Sequence, residues 1–136
     1  MSGVPEAYKD ALTFAFGDSP ALADELLALV LAGKKTATCA AVRDYAENDP
    51  NKPVVGRRDV VMDGAGRPAA VIETIEITHR RFDAVGEEFS RDEGEGDRTL
   101  AEWREGHEAY FRRNGDFSPD MELLCERFRL VEILER

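Results

Sequence analysis

The segment that opens at Ser19-Pro20 and closes at Gly33 most constrains what this chain can fold into. A hydroxyl residue followed by proline is a helix start. The hydroxyl accepts from a free backbone N–H, and proline at the first helical position has no N–H to leave unpaired. Leu22, Leu26, Leu29 and Val30 then form one apolar stripe. Gly33 stands where a left-handed residue ends a helix. Thr36-Ala37-Thr38-Cys39-Ala40 follows at once and reads as a strand. A helix therefore passes directly into a strand, with Lys34 and Lys35 at the junction.

The remaining elements mix without a βαβ rhythm. Tyr8, Leu12 and Phe16 recur at helical spacing, which predicts an amphipathic helix over 5–16. Residues 46–57, with Pro50, Pro53 and Gly56, read as a loop. Residues 59–62 and 68–78, joined by Asp63-Gly64-Ala65-Gly66, read as a hairpin. A helix is expected over 82–91, and an exposed glycine-rich acidic loop over 92–98. Thr99 and Glu102 have capping-box spacing, and Leu100, Trp103, His107, Tyr110 and Phe111 follow as a helical stripe ending at Gly115. Residues 123–134 alternate as a long final strand. This order favours an α+β domain over a doubly wound sheet. Residues 1–136 are read as one domain, with a helical extension over about 1–16.

Of the residues, 43% are apolar and 34% charged, enough for one hydrophobic core in a chain of 136 residues. No apolar run is long enough for a membrane span, and the first residues lack a signal-peptide layout. Cys39 and Cys125 stand in no Cys-x-x-Cys pattern, which fits reduced thiols and a cytoplasmic location. The net charge of −10 opposes long phosphate backbones, so duplex DNA is excluded as a partner. A local cationic pocket on this acidic body suits a short single strand or one nucleoside.

The chemistry-bearing residues cluster in three places. In Gly33-Lys34-Lys35-Thr36-Ala37-Thr38, a partly desolvated lysine can act as a base and a neighbouring threonine as nucleophile. Lysines also favour helix C-termini simply because they complement the dipole. The Walker phosphate loop is excluded, because the upstream glycine and strand are missing. Glu73 falls on the alternation Ala69, Val71, Glu73, Ile75, Ile77. A carboxylate there needs a partner, such as a lysine of the first motif, or a bulge that lets it reach water. The acidic stretch Glu93-Gly94-Glu95-Gly96-Asp97 reads first as a solvated loop. Binding a hard cation, or folding over the lysine/threonine site, are its alternatives. His107 lies on the apolar stripe, where histidine is usually a hydrogen-bonded core residue. His79-Arg80-Arg81 forms a small basic patch. Zinc deaminase chemistry lacks its paired cysteines. Neither a resident metal nor a cofactor is expected.

These pieces occur together. Leu31-Ala32-Gly33-Lys34-Lys35-Thr36-Ala37-Thr38, Val71-Ile72-Glu73-Thr74, Glu93 to Leu100 with Trp103 and His107, and Cys125-Glu126-Arg127-Phe128 resemble a bacterial ASCH domain (activating-signal-cointegrator homology) over about 16–131. The resemblance implies a PUA-like, mostly antiparallel β-barrel flanked by helices. It also implies RNA or a modified nucleoside as partner, and one of two hydrolase activities. One branch of the family removes the acetyl group of N4-acetylcytidine with a lysine, a threonine and a glutamate. These fall on Lys35, Thr38 and either Glu93 or Glu95. That branch has an arginine two residues after the threonine, where this chain has Ala40. Other members are ribonucleases. In that reading Lys34, Lys35 and Arg43 neutralise phosphate while Tyr45 or Trp103 stacks on a base. Glu73 and His107 complete the expected substrate-binding set. A non-catalytic RNA-binding module is the third possibility.

Overall fold

The structure is a computed structural model that describes residues 4–94 and 99–135. Its centre is one sheet of five strands: β1 (Thr13–Phe14), β2 (Ala37–Ala41), β3 (Arg58–Met62), β4 (Pro68–Arg81) and β5 (Glu122–Ile133). Their order is β1-β3-β4-β5-β2. Only β1 runs parallel to its neighbour; the other pairs are antiparallel. Three helices complete the α+β fold: α1 (Pro20–Leu31), α2 (Glu87–Glu93) and α3 (Leu100–Arg113).

The helix expected over 5–16 is not formed. A single 3-10 turn, Glu6–Tyr8, leads into β1. The spacing of Tyr8, Leu12 and Phe16 has a different cause. Tyr8 packs beside Val60, Val71 and Leu134, whereas Phe16 belongs to the core under α1. The closed barrel is also not found, because the sheet stays open between β1 and β2. β1 is two residues long and pairs with β3 alone, while β2 pairs with β5. Residues Phe14 to Gly17 and Thr38 to Ala40 line the same cavity, so the gap where a barrel would close is a cleft.

α1 forms where its signals place it. Ser19 Oγ accepts from the Leu22 N–H at 3.2 Å, and Pro20 occupies the first turn. Leu26, Leu27 and Val30 pack on Phe16, Val61, Ala70, Ile72 and Phe128. A second core joins α2 and α3 to β2 and β5 through Phe82, Phe89, Trp103, Phe111 and Leu123. The expected helix over 82–91 divides into a 3-10 turn, Phe82–Ala84, and α2, which runs on to Glu93. Glu93 is therefore the last helical residue and fully buried, not part of a solvated loop. Gly94 caps α2 in the left-handed conformation, φ 69°.

Candidate functional site

The site forms at the corner that follows α1. Gly33 turns the chain at φ 77°, and the N–H groups of Lys34 and Lys35 both donate to the Leu29 carbonyl. The Thr36 N–H then donates to the Asp92 carbonyl at 2.8 Å, and the Phe128 N–H to the Thr36 carbonyl at 3.0 Å. The corner is thus stitched to both α2 and β5. Arg127 on β5 ion-pairs with Asp92 and holds the same turn of α2.

This stitching demands a glycine at position 94. A Cβ there would lie 2.0 Å from the Lys34 carbonyl oxygen, at a φ that L-residues rarely adopt. Gly94→Ala is expected to destabilise the fold by ~2 kcal/mol, read as a lowered midpoint in thermal unfolding.

The close approach sets Glu93 on Lys35. Both side chains are about 1% exposed, with Nζ 3.8 Å from Glu93 Oε1. Lys35 Nζ also donates to the Ala37 carbonyl at 2.8 Å and to the Glu93 carbonyl at 3.3 Å. The Trp103 Nε1–H donates to Glu93 Oε2, and His107 Nε2 lies 3.0 Å from the same oxygen. His107 Nδ1 is 2.9 Å from the Trp103 carbonyl, which only accepts, so Nδ1 carries a proton. Burial pushes the Glu93 carboxyl up. Lys35, His107 and the Trp103 N–H more than offset it and hold the carboxyl below its ordinary range.

Lys35, Thr38, Cys39, Glu93 and His107 line one cavity of about 310 Å³. A second cavity, about 430 Å³, shares Thr38, Cys39, Phe16, Gly17 and Tyr110 with it and continues along β2 to Tyr45, Arg57, Asp59 and Glu126. Both volumes are in the small-molecule range.

The expected site residues divide accordingly. Lys35, Thr38, Glu93 and His107 converge on the first cavity. Trp103, stacked between Phe82 at 5.5 Å and His107 at 4.2 Å, lies behind its wall. At 1% exposure Trp103 cannot stack on a base. Tyr45 lines the second cavity. Lys34 and Arg43 are exposed and line neither cavity. Glu95 lies outside the described residues.

Glu73 is a correction. It is not in the cleft but on the opposite face of β4, paired with Arg58 at 3.0 Å and Arg129 at 3.2 Å. Those two arginines hold its carboxyl below the ordinary range. The alternation misled because β4 turns Ala70, Ile72 and Thr74 toward the main core, while Ile75 on the other face is exposed. Irregularities in the β4–β5 register follow Val71 and Thr74.

Sequence reasoning missed Glu126. It shares the strand alternation Leu124, Glu126, Phe128 and is buried beside Thr74, whose hydroxyl donates to Oε2 at 2.5 Å. The test applied to Glu73 finds it: a carboxylate on an apolar strand face. Cys125, by contrast, is an inert thiol, pushed up to about 11 by burial. Cys39, Glu93 and His107 present ligand atoms within 4.8 Å of one another, with Lys35 against the same carboxylate.

An open α+β sheet with a cleft at its unclosed seam, and a buried lysine–glutamate pair opening on that cleft, defines the class of domain. The chain belongs to the ASCH family: the ASCH domain model matches residues 12–132. Two solved structures are similar throughout. A protein of Enterococcus faecalis V583, assigned to the DUF984 family model, is 33% identical, with a TM-score of 0.81 over 90% of this chain and 77% of that one. The ASCH domain from Lactobacillus crispatus JV V101 is 32% identical, with a TM-score of 0.81 over 92% and 82% of the two chains. An ASCH protein of Zymomonas mobilis shares the fold at 11% identity and a TM-score of 0.56, over 91% and 71%. Comparison with the curated proteins finds no match. Among the described residues no helix is long and apolar enough to cross a membrane.

Proposed function

We propose that this ASCH domain hydrolyses the amide of an acylated nucleoside of the N4-acetylcytidine type. The observation that carries the reading is the buried Lys35–Glu93 pair on a cavity it shares with Thr38. The resting Lys35 ammonium, paired with Glu93, gives one proton to solvent in the cavity, and the amine so formed takes the Thr38 hydroxyl proton while Thr38 Oγ1 bonds to the acyl carbon. The resulting ammonium lies beside the developing oxyanion and stabilises it. The C–N bond then breaks, and Lys35 returns the proton to the leaving amine. Water, deprotonated by the same lysine, then bonds to the acyl carbon; the bond from that carbon to Thr38 Oγ1 breaks, the carboxylic acid leaves, and Lys35 returns the proton to Oγ1. Glu93 touches no reacting atom. It positions Lys35, and His107 and Trp103 position Glu93.

The backbone N–H groups near Gly33 do not serve as oxyanion donors in this reading. The N–H groups of residues 33 to 36 are all engaged by the carbonyls of Val30, Leu29 and Asp92.

The family is proposed in general to bind RNA, and strand cleavage is the competing activity. Two observations favour a nucleoside. Lys34 and Arg43, the phosphate neutralisers of the ribonuclease reading, line neither cavity. The net charge of −10 also opposes a long backbone. Incubation with N4-acetylcytidine and, separately, a short single-stranded RNA, read by mass spectrometry, tests the reading. Cytidine and acetate are the expected products, with the RNA intact. Strand cleavage without amide cleavage refutes it.

A further inference from the structure

The second cavity contains a buried carboxylate that the mechanism above does not use. Glu126 is the direct cross-strand partner of Thr38 on β2 and β5. In such pairs the Cβ atoms stand about 4.5–5.5 Å apart on one face. The Glu126 side chain therefore lies next to the proposed nucleophile, and both residues line the second cavity.

Arg57, Asp59 and Thr74, which adjoin Glu126, are already matched. Asp59 receives Arg57 Nε at 2.8 Å on Oδ1 and Arg57 Nη2 at 3.1 Å on Oδ2. Arg57 Nη1 donates to the carbonyls of Pro50 and Lys52. Glu126 Oε2 accepts from Thr74. Glu126 Oε1 has no hydrogen-bond partner among the described residues, and it is not sealed in the interior as an orphan atom. Leu12, Phe14, Pro53 and Leu124 supply apolar walls. A cavity with apolar walls and a buried carboxylate oxygen that lacks a partner can orient a ligand through that oxygen.

We propose that Glu126 Oε1 accepts a hydrogen bond from the exocyclic amino N–H of a nucleobase, so that the site selects cytosine-type bases over uracil-type ones. This rests on the nucleoside reading of the site. An N4-acylated cytosine keeps one N–H on the nitrogen of the scissile bond, next to the acyl carbon. With that carbon at Thr38, the N–H faces the cross-strand neighbour. A glutamate accepting from cytosine N4 is an established pairing chemistry. Uracil presents a carbonyl at the same place, which sets acceptor against acceptor and leaves the buried oxygen unmatched.

The experiment is calorimetric titration of the full chain with cytidine and with uridine, on wild type and Glu126→Gln. N4-acetylcytidine turnover is measured in parallel. Wild type is expected to bind cytidine about tenfold or more tighter than uridine. In Glu126→Gln the ratio is expected to fall to about threefold or less. The glutamine amide presents either its oxygen or its nitrogen, and the Thr74 hydroxyl serves either one. Unfolding midpoints confirm that the variant is folded, and the wild-type ratio needs no variant at all. Equal wild-type affinity for the two nucleosides overturns the proposal, and so does a preference undiminished in folded Glu126→Gln. Either result leaves the hydrolase reading standing if acetylcytidine is turned over. A Glu126-dependent preference without turnover does the reverse. No binding of either nucleoside overturns the proposal, and the absence of acetylcytidine turnover as well overturns the hydrolase reading.

Discussion

Thr38→Ala and Lys35→Ala are each expected to lower N4-acetylcytidine turnover roughly 10³-fold or more, as loss of a nucleophile or its base does. The double variant should be little worse than either single one. Threonine is a poor nucleophile until a base takes its proton, so either loss removes the same step. Thr38→Ala is the cleaner test, because Thr38 is half-buried at the cavity wall and its change removes no partner of a buried charge. Lys35→Ala also leaves the Glu93 carboxylate buried without its lysine, which is destabilising in itself. Lys35→Met keeps the length of the side chain, and its unfolding midpoint separates lost chemistry from lost fold. Glu73→Gln is the control: on the far face with Arg58 and Arg129, it should leave turnover unchanged. The measurements are initial rates for the wild type and the five variants. Full activity in Thr38→Ala would rule out the nucleophile assigned here.

The cluster was legible wherever one local rule decided the outcome. Ser19-Pro20, Gly33 and Thr99 each act within a few residues, and the structure uses all three as cap or turn. Lys35 and Thr38 were found because the helix-to-strand junction concentrates them. Glu93 was recognised by resemblance, yet its burial was not expected. Its environment is made by residues distant in sequence: the Lys34 carbonyl against Gly94, Arg127 on Asp92, and Trp103 and His107 on α3. A local signal was present nonetheless, since Gly94 has the position of a helix-ending glycine and makes Glu93 helical. Glu73 and Glu126 show the limit of alternation. Both stand on strands among apolar neighbours, and only the placement of β4 and β5 in the sheet decides which one faces the core. The open seam is a similar case. It follows from a two-residue β1 that pairs in parallel with β3, and no local pattern in Thr13-Phe14 specifies that.

The largest stability effect is expected from the residue that closes the site from behind. Trp103→Ala should reduce the free energy of unfolding by ~3–5 kcal/mol, as loss of a fully buried large aromatic does. Trp103 is 1% exposed, stacks on Phe82 and His107, and is the member of the second core that joins α3 to the Glu93 carboxylate. Its removal leaves a cavity and takes one donor from a buried charge. Trp103→Phe separates the two contributions. It restores most of the packing but not the N–H, so it should cost only ~1–3 kcal/mol, the usual penalty for an unmatched buried polar group. Both follow from urea unfolding at neutral pH, and a loss below ~1 kcal/mol for Trp103→Ala would show that α3 is not docked as described. The same donor has a pH signature. The Glu93 carboxyl is held below its ordinary value near 4.5 by Lys35, His107 and Trp103 acting against burial. A depressed carboxyl contributes stability that is complete above the unfolded value and lost as pH falls through the folded one. Wild-type stability should therefore be insensitive to this group above about pH 5 and decline below about pH 4.5. In Trp103→Phe the folded carboxyl has one stabilising N–H fewer and moves back up toward its ordinary value. The acid decline due to Glu93 should then be smaller, and unfolding midpoints of the two proteins between pH 3 and 7 should converge at the acid end. Parallel curves across that range would show that the indole N–H does not hold the carboxylate.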